Sequence, residues 1–197
     1  DPTREEKSYS KWAGTLADAD RFDPLFFSIS PKEAEMMDPR QRLFLEEAWK
    51  AFEDAGLSDR SLSGAACGVF VGCAGGDYKY RFRRSGSAAN AYTFGGNQNS
   101  MLAARISYFL NLRGPSIAVD TACSSSLVAI HLACESLRSG TCELAVAGGT
   151  EAFFTAEFHI QASRSGMLSP SGRCRAFDHR ADGFVPGEGV GALVGGE

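Results

Sequence analysis

Short uninterrupted apolar runs alternate along this chain with longer segments that suit helices. The runs at 67–72, 117–119 and 144–147 are typical of strands that are buried on both faces. The segments at 100–109 and 124–138 lie between them and have helix-compatible composition. This alternation predicts a layered α/β domain with a mainly parallel central sheet.

One helix has clear start and stop signals. Asp38 is a good N-cap residue, Pro39 suits the first helical position, and Gln41 completes a capping-box pattern. Gly56 marks the C-terminal end of the same pattern. The apolar positions that predict one face packed against the core are Leu45, Ala48, Trp49, Phe52 and Ala55.

The remaining segments show weaker patterns. Residues 1–37 are rich in turn formers and aromatics, so we predict irregular structure with one short helix. Residues 183–194 predict a final pair of extended segments. The strand at 117–119, the helix at 124–138 and the strand at 144–147 predict a βαβ unit with a right-handed crossover.

Cys123 falls in the tight turn between the first strand and the helix of that unit. The free amide groups and the positive end of the helix dipole at this position favour a thiolate over a thiol. A thiolate presented at a strand-to-helix turn is suited to accept an acyl group. Most free cysteines pack as small apolar residues, so this cysteine taken by itself favours packing over catalysis.

Other candidate nucleophiles and bases fit structural roles better. The serines at 124–126 suit a first helical turn in which their hydroxyls satisfy free amides. His131 lies eight residues after Cys123 on the same predicted helix, about 12 Å along its axis, so we predict a buried structural histidine. His159 and His179 fall in predicted loops and suit surface or structural roles. None of the three histidines is a candidate site residue.

A long segment around Cys123 resembles the active-site segment of β-ketoacyl synthases, in particular the ketosynthase domains of modular polyketide synthases. Residues 111–131 read NLRGPSIAVDTACSSSLVAIH. Further landmarks of the family appear in the family's order, and they cover nearly the whole chain. They are FDPLFF at 22–27, MDPRQR at 37–42, MLSP at 167–170, FD at 177–178, and ADGF at 181–184 followed by GEG at 187–189.

This resemblance implies a thiolase-like fold, of which residues 1–197 would form the N-terminal half. It implies that Cys123 accepts an acyl chain from the phosphopantetheine arm of an acyl carrier protein. A malonyl-type extender then undergoes decarboxylative Claisen condensation with that chain, in polyketide or fatty-acid-like biosynthesis. No cofactor is implied on the protein itself, because the carrier protein delivers the substrates.

The resemblance also implies partners and parts outside these residues. The family's first strand would precede Asp1, and the C-terminal half, with two catalytic histidines, would follow Glu197. Residues 97–105 and the strand around Ile117 fall where the family forms a two-fold dimer. We therefore expect an acyl carrier protein, the C-terminal half and a second copy as partners. We also expect the fragment alone to be unable to complete condensation.

Composition and charge argue against several other classes. The chain is 44% hydrophobic and 22% charged, and its net charge of −4 gives no electrostatic footprint for nucleic acid. No apolar run approaches the roughly 20 residues that span a bilayer. The six cysteines form no C-x-x-C pair and no zinc-like spacing. They predict reduced thiols in a cytoplasmic protein without a metal site.

Two further motifs lend themselves to structural interpretations. The glycine-rich turn at 72–76 superficially resembles a phosphate loop, but it lacks the Walker lysine–serine pair, so we reject a nucleotide site. A basic cluster follows, formed by Lys79, Arg81, Arg83 and Arg84. It suits an encounter with an acidic carrier protein, although a solvated loop is the favoured interpretation.

Three alternatives to a condensing enzyme stay open at this point. One is a thiolase-fold acyltransferase or chain-length factor that handles acyl groups without condensing them. Cys123 argues against a factor that has lost its nucleophile. Another is a non-catalytic docking or dimerisation fragment. A cysteine hydrolase is the weakest, because it needs a histidine base near Cys123.

Overall fold

The computed structural model describes residues 7–85 and 90–196, apart from the side chains of residues 83–85. No helix in these ranges is long and apolar enough to cross a membrane. The helices are α1 (Pro31–Met36), α2 (Pro39–Asp54), α3 (Asp59–Leu62), α4 (Tyr78–Ser85), α5 (Ala91–Gly96), α6 (Asn99–Phe109), α7 (Ser125–Arg138) and α8 (Glu157–Arg164). The strands are β1 (Cys67–Gly72), β2 (Ser116–Val119), β3 (Leu144–Glu151) and β4 (Gly189–Gly196).

The strands form one sheet in the order β2, β1, β3, β4. β1 pairs in parallel with both β2 and β3, whereas β3 and β4 are antiparallel. In register, Phe70 of β1 lies between Ile117 of β2 and Ala147 of β3. The predicted α/β class with a mainly parallel sheet is therefore confirmed. The strands predicted to flank the βαβ helix are also present, with β1 lying between them.

The predicted final pair of extended segments is only partly correct. The regular strand β4 begins at Gly189, and Phe184 forms only an isolated bridge with Leu168. Pro186 between these points lacks an N–H group, so it cannot donate to a continuous strand ladder. One strand and two isolated bridges, Phe184 with Leu168 and Gly187 with Gly14, replace the predicted pair.

Helices cover both faces of the sheet. On one face, Val69, Val71 and Val146 are fully buried in a core that α2 and α6 also line. On the other face, Phe70 packs with Ala129 of α7. Burying one side chain of this size stabilises the fold by about 1.5–3 kcal/mol. The buried side chains thus hold the central strands and their covering helices together, and α7 begins at the carboxyl ends of the parallel strands.

The predicted start of α2 is correct except for the capping box. The carboxylate of Asp38 accepts a hydrogen bond from the amide of Arg40 at 3.0 Å, Pro39 opens the helix, and Gly56 follows with φ of 73°. The side chain of Gln41 does not bond back to the backbone amide of Asp38, as a capping box would require. This side chain is buried and instead accepts from the guanidinium of Arg105 at 2.8 Å, because α6 packs against this end of α2.

The basic cluster lies on a helix and not in the predicted loop. Lys79 and Arg81 are exposed on α4, while Tyr78 is buried and its ring packs edge-on against Phe82 at 5.1 Å. Two aromatic side chains are enough to anchor this short helix but too few to give a recognisable apolar periodicity. The side chains of the other two members, Arg83 and Arg84, lie outside the described residues.

Candidate active site

The turn between β2 and α7 presents Cys123 to solvent. Ala122 has φ of 56°, in the left-handed region that non-glycine residues seldom adopt. Its amide donates to Asp120 at 3.0 Å, and its carbonyl accepts from the amide of Ser125 at 3.0 Å. The Ser125 hydroxyl also accepts from the amide of Thr121 at 2.9 Å. These bonds offset about 1–3 kcal/mol of backbone strain, and the Cys123 side chain is left exposed.

The serines of this turn have other partners than we predicted. Ser124 is the N-cap of α7, but its hydroxyl donates to the carbonyl of Thr121 at 2.9 Å and caps no helical amide. The hydroxyl of Ser125 donates to the carbonyl of Ala122 at 2.6 Å. The reason is conformational: Ser124 has right-handed helical angles, whereas a capping serine needs extended ones. The serines therefore stabilise the turn that carries Cys123 and not the helix amides.

Burial distinguishes the cysteines from one another. Cys123 and Cys174 are exposed. Burial raises the pKa of Cys67 to about 12 and that of Cys73 to about 11, and it also raises the pKa of Cys142. Because the thiolate is the nucleophilic form of cysteine, these three buried thiols are poor nucleophiles at neutral pH.

Two glycines let the first turn of α7 sit directly on the sheet. A Cβ atom at Gly72, the last residue of β1, would lie 2.4 Å from the backbone nitrogen of Ser126. A Cβ atom at Gly149 of β3 would lie 2.8 Å from the Cβ of Ser126. Real Cβ contacts are longer, so any side chain at Gly72 would displace the helix. The height of Cys123 above the sheet therefore depends on Gly72.

A cleft of about 890 Å³ opens beside Cys123, over the ends of β1, β3 and β4. Its walls are mainly apolar. The side chains of Phe153 and Phe158 stack with ring centroids 4.8 Å apart, and the ring of Phe184 lies 6.5 Å from that of Phe158. Burying a methylene group in such a wall is worth about 0.8 kcal/mol, so the cleft is suited to an aliphatic chain attached at Cys123.

Two carboxylates hold the aromatic wall in place. Asp77 accepts hydrogen bonds from the amides of Phe154 at 3.1 Å and Thr155 at 2.8 Å. Glu188 accepts from the amide of Phe153 at 2.9 Å. Charge-assisted bonds of this kind are stronger than neutral ones. The hydrogen bonds to Asp77 and Glu188 therefore hold the loop between β3 and α8 in place. Phe153 lies in this loop, and its side chain lines the cleft.

A buried ion pair lies behind the cleft. Arg40 is 2% exposed, and its guanidinium bonds to Asp38 at 2.9 Å and to the carbonyl of Ala74 at 2.6 Å. Burial alone would lower the pKa of Arg40, but the adjacent Asp38 and the more distant Glu151 oppose this effect, and the net shift of the pKa is upward. Glu151 of β3 is 3.9 Å from Arg40, and burial raises the pKa of this carboxyl. Both Ala74 and Glu151 line the cleft.

His131 and His159 lie in different surroundings from those predicted, whereas His179 lies at the surface outside a helix, as predicted. His131 is exposed and not buried, because it lies two residues from the buried Ala129 and thus on the opposite face of α7. His159 is part of α8 rather than a loop, with its ring 5.9 Å from that of Phe153. His179 is exposed beside Asp178 in a turn. Within the described ranges, the residues that line the cleft include no histidine.

Sequence reasoning placed Cys123 in the strand-to-helix turn but missed the groups that surround it. Asp77, Glu151 and Glu188 are separated from Cys123 by 28 to 65 positions, and no local motif links them to it. Only the sheet order brings the ends of β1, β3 and β4 together at the turn.

Within the described residues, no group of three or more His, Cys, Asp or Glu side chains is arranged to hold a metal ion.

Comparison with known proteins agrees with this fold. Residues 1–194 match the family described as "Beta-ketoacyl synthase, N-terminal domain". The chain is 50% identical over 189 residues to the polyketide synthase PksM of Bacillus subtilis, covering 96% of this chain and 4% of PksM. It is 48% identical over 194 residues to the polyketide synthase GfsB of Streptomyces halstedii, covering 98% of this chain and 4% of GfsB.

Two solved ketosynthases have the same fold. The ketosynthase from module 6 of the Bacillus subtilis bacillaene synthase superposes with a TM-score of 0.85 at 48% identity, covering 98% of this chain and 32% of the other. The oxazolomycin ketosynthase domain of Streptomyces albus gives a TM-score of 0.90 at 45% identity, covering 98% and 33%.

These similarities define the class and the family. The domain has the thiolase-like α/β fold of ketosynthases, with a mixed, mostly parallel sheet between helices. The chain belongs to the β-ketoacyl synthase family and corresponds to its N-terminal domain. It spans about 4% of the first curated relatives and about a third of the solved ketosynthase chains.

Proposed function

We propose that this chain is the N-terminal portion of a polyketide-type ketosynthase, with Cys123 as its acyl-accepting nucleophile. The observation that carries the proposal is the position of Cys123: its thiol is exposed on a rigid strand-to-helix turn and opens into a mainly apolar cleft. The membership of the family and its polyketide synthase relatives support the same activity. The substrates are acyl groups on the phosphopantetheine arm of an acyl carrier protein, and the enzyme class is acyltransferase.

The first half-reaction is a thioester exchange. The Cys123 thiolate attacks the acyl carbonyl carbon and forms a new carbon–sulfur bond. The bond to the phosphopantetheine sulfur then breaks, and that sulfur leaves as a thiolate that takes up a proton. The buried thiols compete poorly, because burial keeps Cys67 and Cys73 protonated.

The second half-reaction extends the chain. A malonyl-type extender loses carbon dioxide, and the resulting enolate carbon attacks the Cys123 thioester. A carbon–carbon bond forms while the carbon–sulfur bond breaks, which returns the Cys123 thiolate. The two histidines that the family uses here belong, in this proposal, to a C-terminal half. Its existence is supported by the length of the solved relatives, of which this chain covers about a third.

The partners in this proposal are an acyl carrier protein, the C-terminal half and a second copy, in the cytoplasm. Strand β2 lies at one end of the described sheet, and Ile117 on it is 40% exposed. An apolar edge strand of this kind is suited to contact with another chain. We therefore assign β2 to the two-fold dimer surface, together with residues 97–105, because helix α6 packs against β2.

The test is a condensation assay on the full protein that carries these residues. The protein is supplied with an acyl thioester and a malonyl thioester of an acyl carrier protein, and products are identified by mass. We expect a β-ketoacyl product two carbons longer than the acyl substrate. Transfer of the acyl group without formation of a carbon–carbon bond would contradict the condensing function and favour a non-condensing acyltransferase.

Gly72→Ala should slow the transfer of an acyl group to Cys123 by at least about tenfold, because the new Cβ forces the start of α7 away from the sheet. We also expect a loss of about 1–3 kcal/mol in the free energy of unfolding. The rate of acyl transfer is measured by intact mass, and the stability by urea denaturation.

Gly75→Ala is the matched control for this prediction. A Cβ at Gly75 meets no heavy atom within 4 Å, so this variant should acylate at the wild-type rate and change stability by less than about 0.5 kcal/mol. Equal rates for wild type, Gly72→Ala and Gly75→Ala would show that the close approach of α7 to β1 does not position Cys123.

A further inference from the structure

Glu151 lies at the cleft end of β3, on the strand face that turns towards α7. Side chains alternate along a strand, so Glu151 shares a face with Ala147 and Gly149. Ala147 packs in the cluster with Ala129 of α7, and Gly149 faces Ser126 in the first turn of α7. Glu151 and Cys123 both line the cleft. The side chain of Glu151 therefore lines the cleft in which the proposed acyl chain would lie.

The carboxylate of Glu151 has acceptor capacity that the described residues do not use. Its Oε1 atom accepts from the amide of Ala152 at 3.1 Å and lies 3.9 Å from Arg40. No donor in the described part of the chain bonds to its Oε2 atom. The side chain is 40% exposed, so a molecule in the cleft has access to it.

The apolar surroundings of Glu151 make its carboxylate a selective acceptor for hydroxyl groups on a bound chain. The nearby wall is apolar, with the stacked rings of Phe153 and Phe158 and the side chain of Ile130 lining the same cleft. A hydroxyl group brought into such a wall without a partner costs about 1–3 kcal/mol. A carboxylate acceptor removes that cost, and a hydrogen bond to a charged group is stronger than a neutral one.

The geometry points to Glu151 as a specificity-determining residue that favours acyl chains carrying a hydroxyl group over fully reduced chains. This inference rests on the proposed function, because it assumes that the acyl chain on Cys123 occupies the cleft. Glu151 takes no part in the bond changes at Cys123. It accepts a hydrogen bond from the hydroxyl of the chain, and its preference is expressed in the ratio of two acylation rates.

The test compares acylation of Cys123 by N-acetylcysteamine thioesters of hexanoate, 3-hydroxyhexanoate and 5-hydroxyhexanoate. Rates are measured by intact mass on the full protein that carries these residues. We expect the wild type to react about 3- to 10-fold faster with at least one hydroxylated probe than with hexanoate. In Glu151→Leu this ratio should fall to about one, and in Glu151→Gln, which keeps a neutral acceptor, to an intermediate value.

Glu143→Gln is the control, because Glu143 is exposed just before the opposite end of β3 and should leave the ratio unchanged. A purely structural role for Glu151 would slow all probes equally and leave the ratio intact, which would overturn the inference. A wild type without a preference would overturn it as well. If Glu151→Leu fails to fold, Glu151→Gln decides. Absence of any adduct on Cys123 would instead contradict the proposed function itself.

Discussion

Cys123→Ala should abolish condensation, with a loss of at least about 10³-fold in turnover, because the variant has no nucleophile to hold the acyl chain. The methyl side chain of alanine fits an exposed position, so the fold should be retained. The turnover is measured with acyl and malonyl carrier-protein thioesters, and the fold by circular dichroism.

Cys174→Ala is the matched control for the nucleophile. Cys174 is also exposed, but it does not line the cleft, so this variant should condense at close to the wild-type rate. Substantial turnover in Cys123→Ala, or equal losses in the two variants, would show that Cys123 is not the acyl acceptor.

Arg40→Met should destabilise the protein by about 3–5 kcal/mol, the cost of breaking a buried ion pair from one side. Asp38 would then keep a buried charge without its guanidinium partner, and the carbonyl of Ala74 would lose its 2.6 Å hydrogen bond. The free energy of unfolding is measured by urea denaturation of the full protein. We also expect acyl transfer to slow, since Ala74 lines the cleft.

Lys50→Met is the control, because it removes the cation of an ion pair at the surface. Lys50 pairs with Glu47 at 2.6 Å, but its side chain is 63% exposed, so the expected loss is below about 1 kcal/mol. An equal loss of unfolding free energy in the two variants would contradict this prediction, because the buried pair of Arg40 and Asp38 would then stabilise the fold no more than an exposed pair.

The elements that the sequence predicted correctly are those with dense local patterns. The apolar run that became β1 is buried at every position, and its pattern needed no knowledge of distant residues. Both ends of α2 were predictable from neighbouring residues. Asp38 and Pro39 mark its start, and Gly56 follows its end. The position of Cys123 in an exposed strand-to-helix turn was predictable for the same reason, since a strand, a turn and a helix follow one another directly.

Features that depend on tertiary packing were not predictable. Gln41 lies where a capping box is expected, but the packing of α6 against α2 gives its side chain a partner in Arg105. The prediction that His131 is buried was wrong, because only packing against the sheet decides which face of α7 is covered. The acceptors around the cleft, Glu151 and Glu188, come from the ends of strands that meet only in the folded sheet.

The most direct test of the central claim is to identify the residue that receives the acyl group. The full protein is treated with a limiting amount of hexanoyl carrier-protein thioester, digested, and the acylated peptide is sequenced by mass spectrometry. We predict a single adduct, on Cys123, while the buried Cys67 and Cys73 stay unmodified because their pKa values are raised to about 12 and about 11. Acylation spread over several cysteines, or placed mainly on a cysteine other than Cys123, would contradict the account.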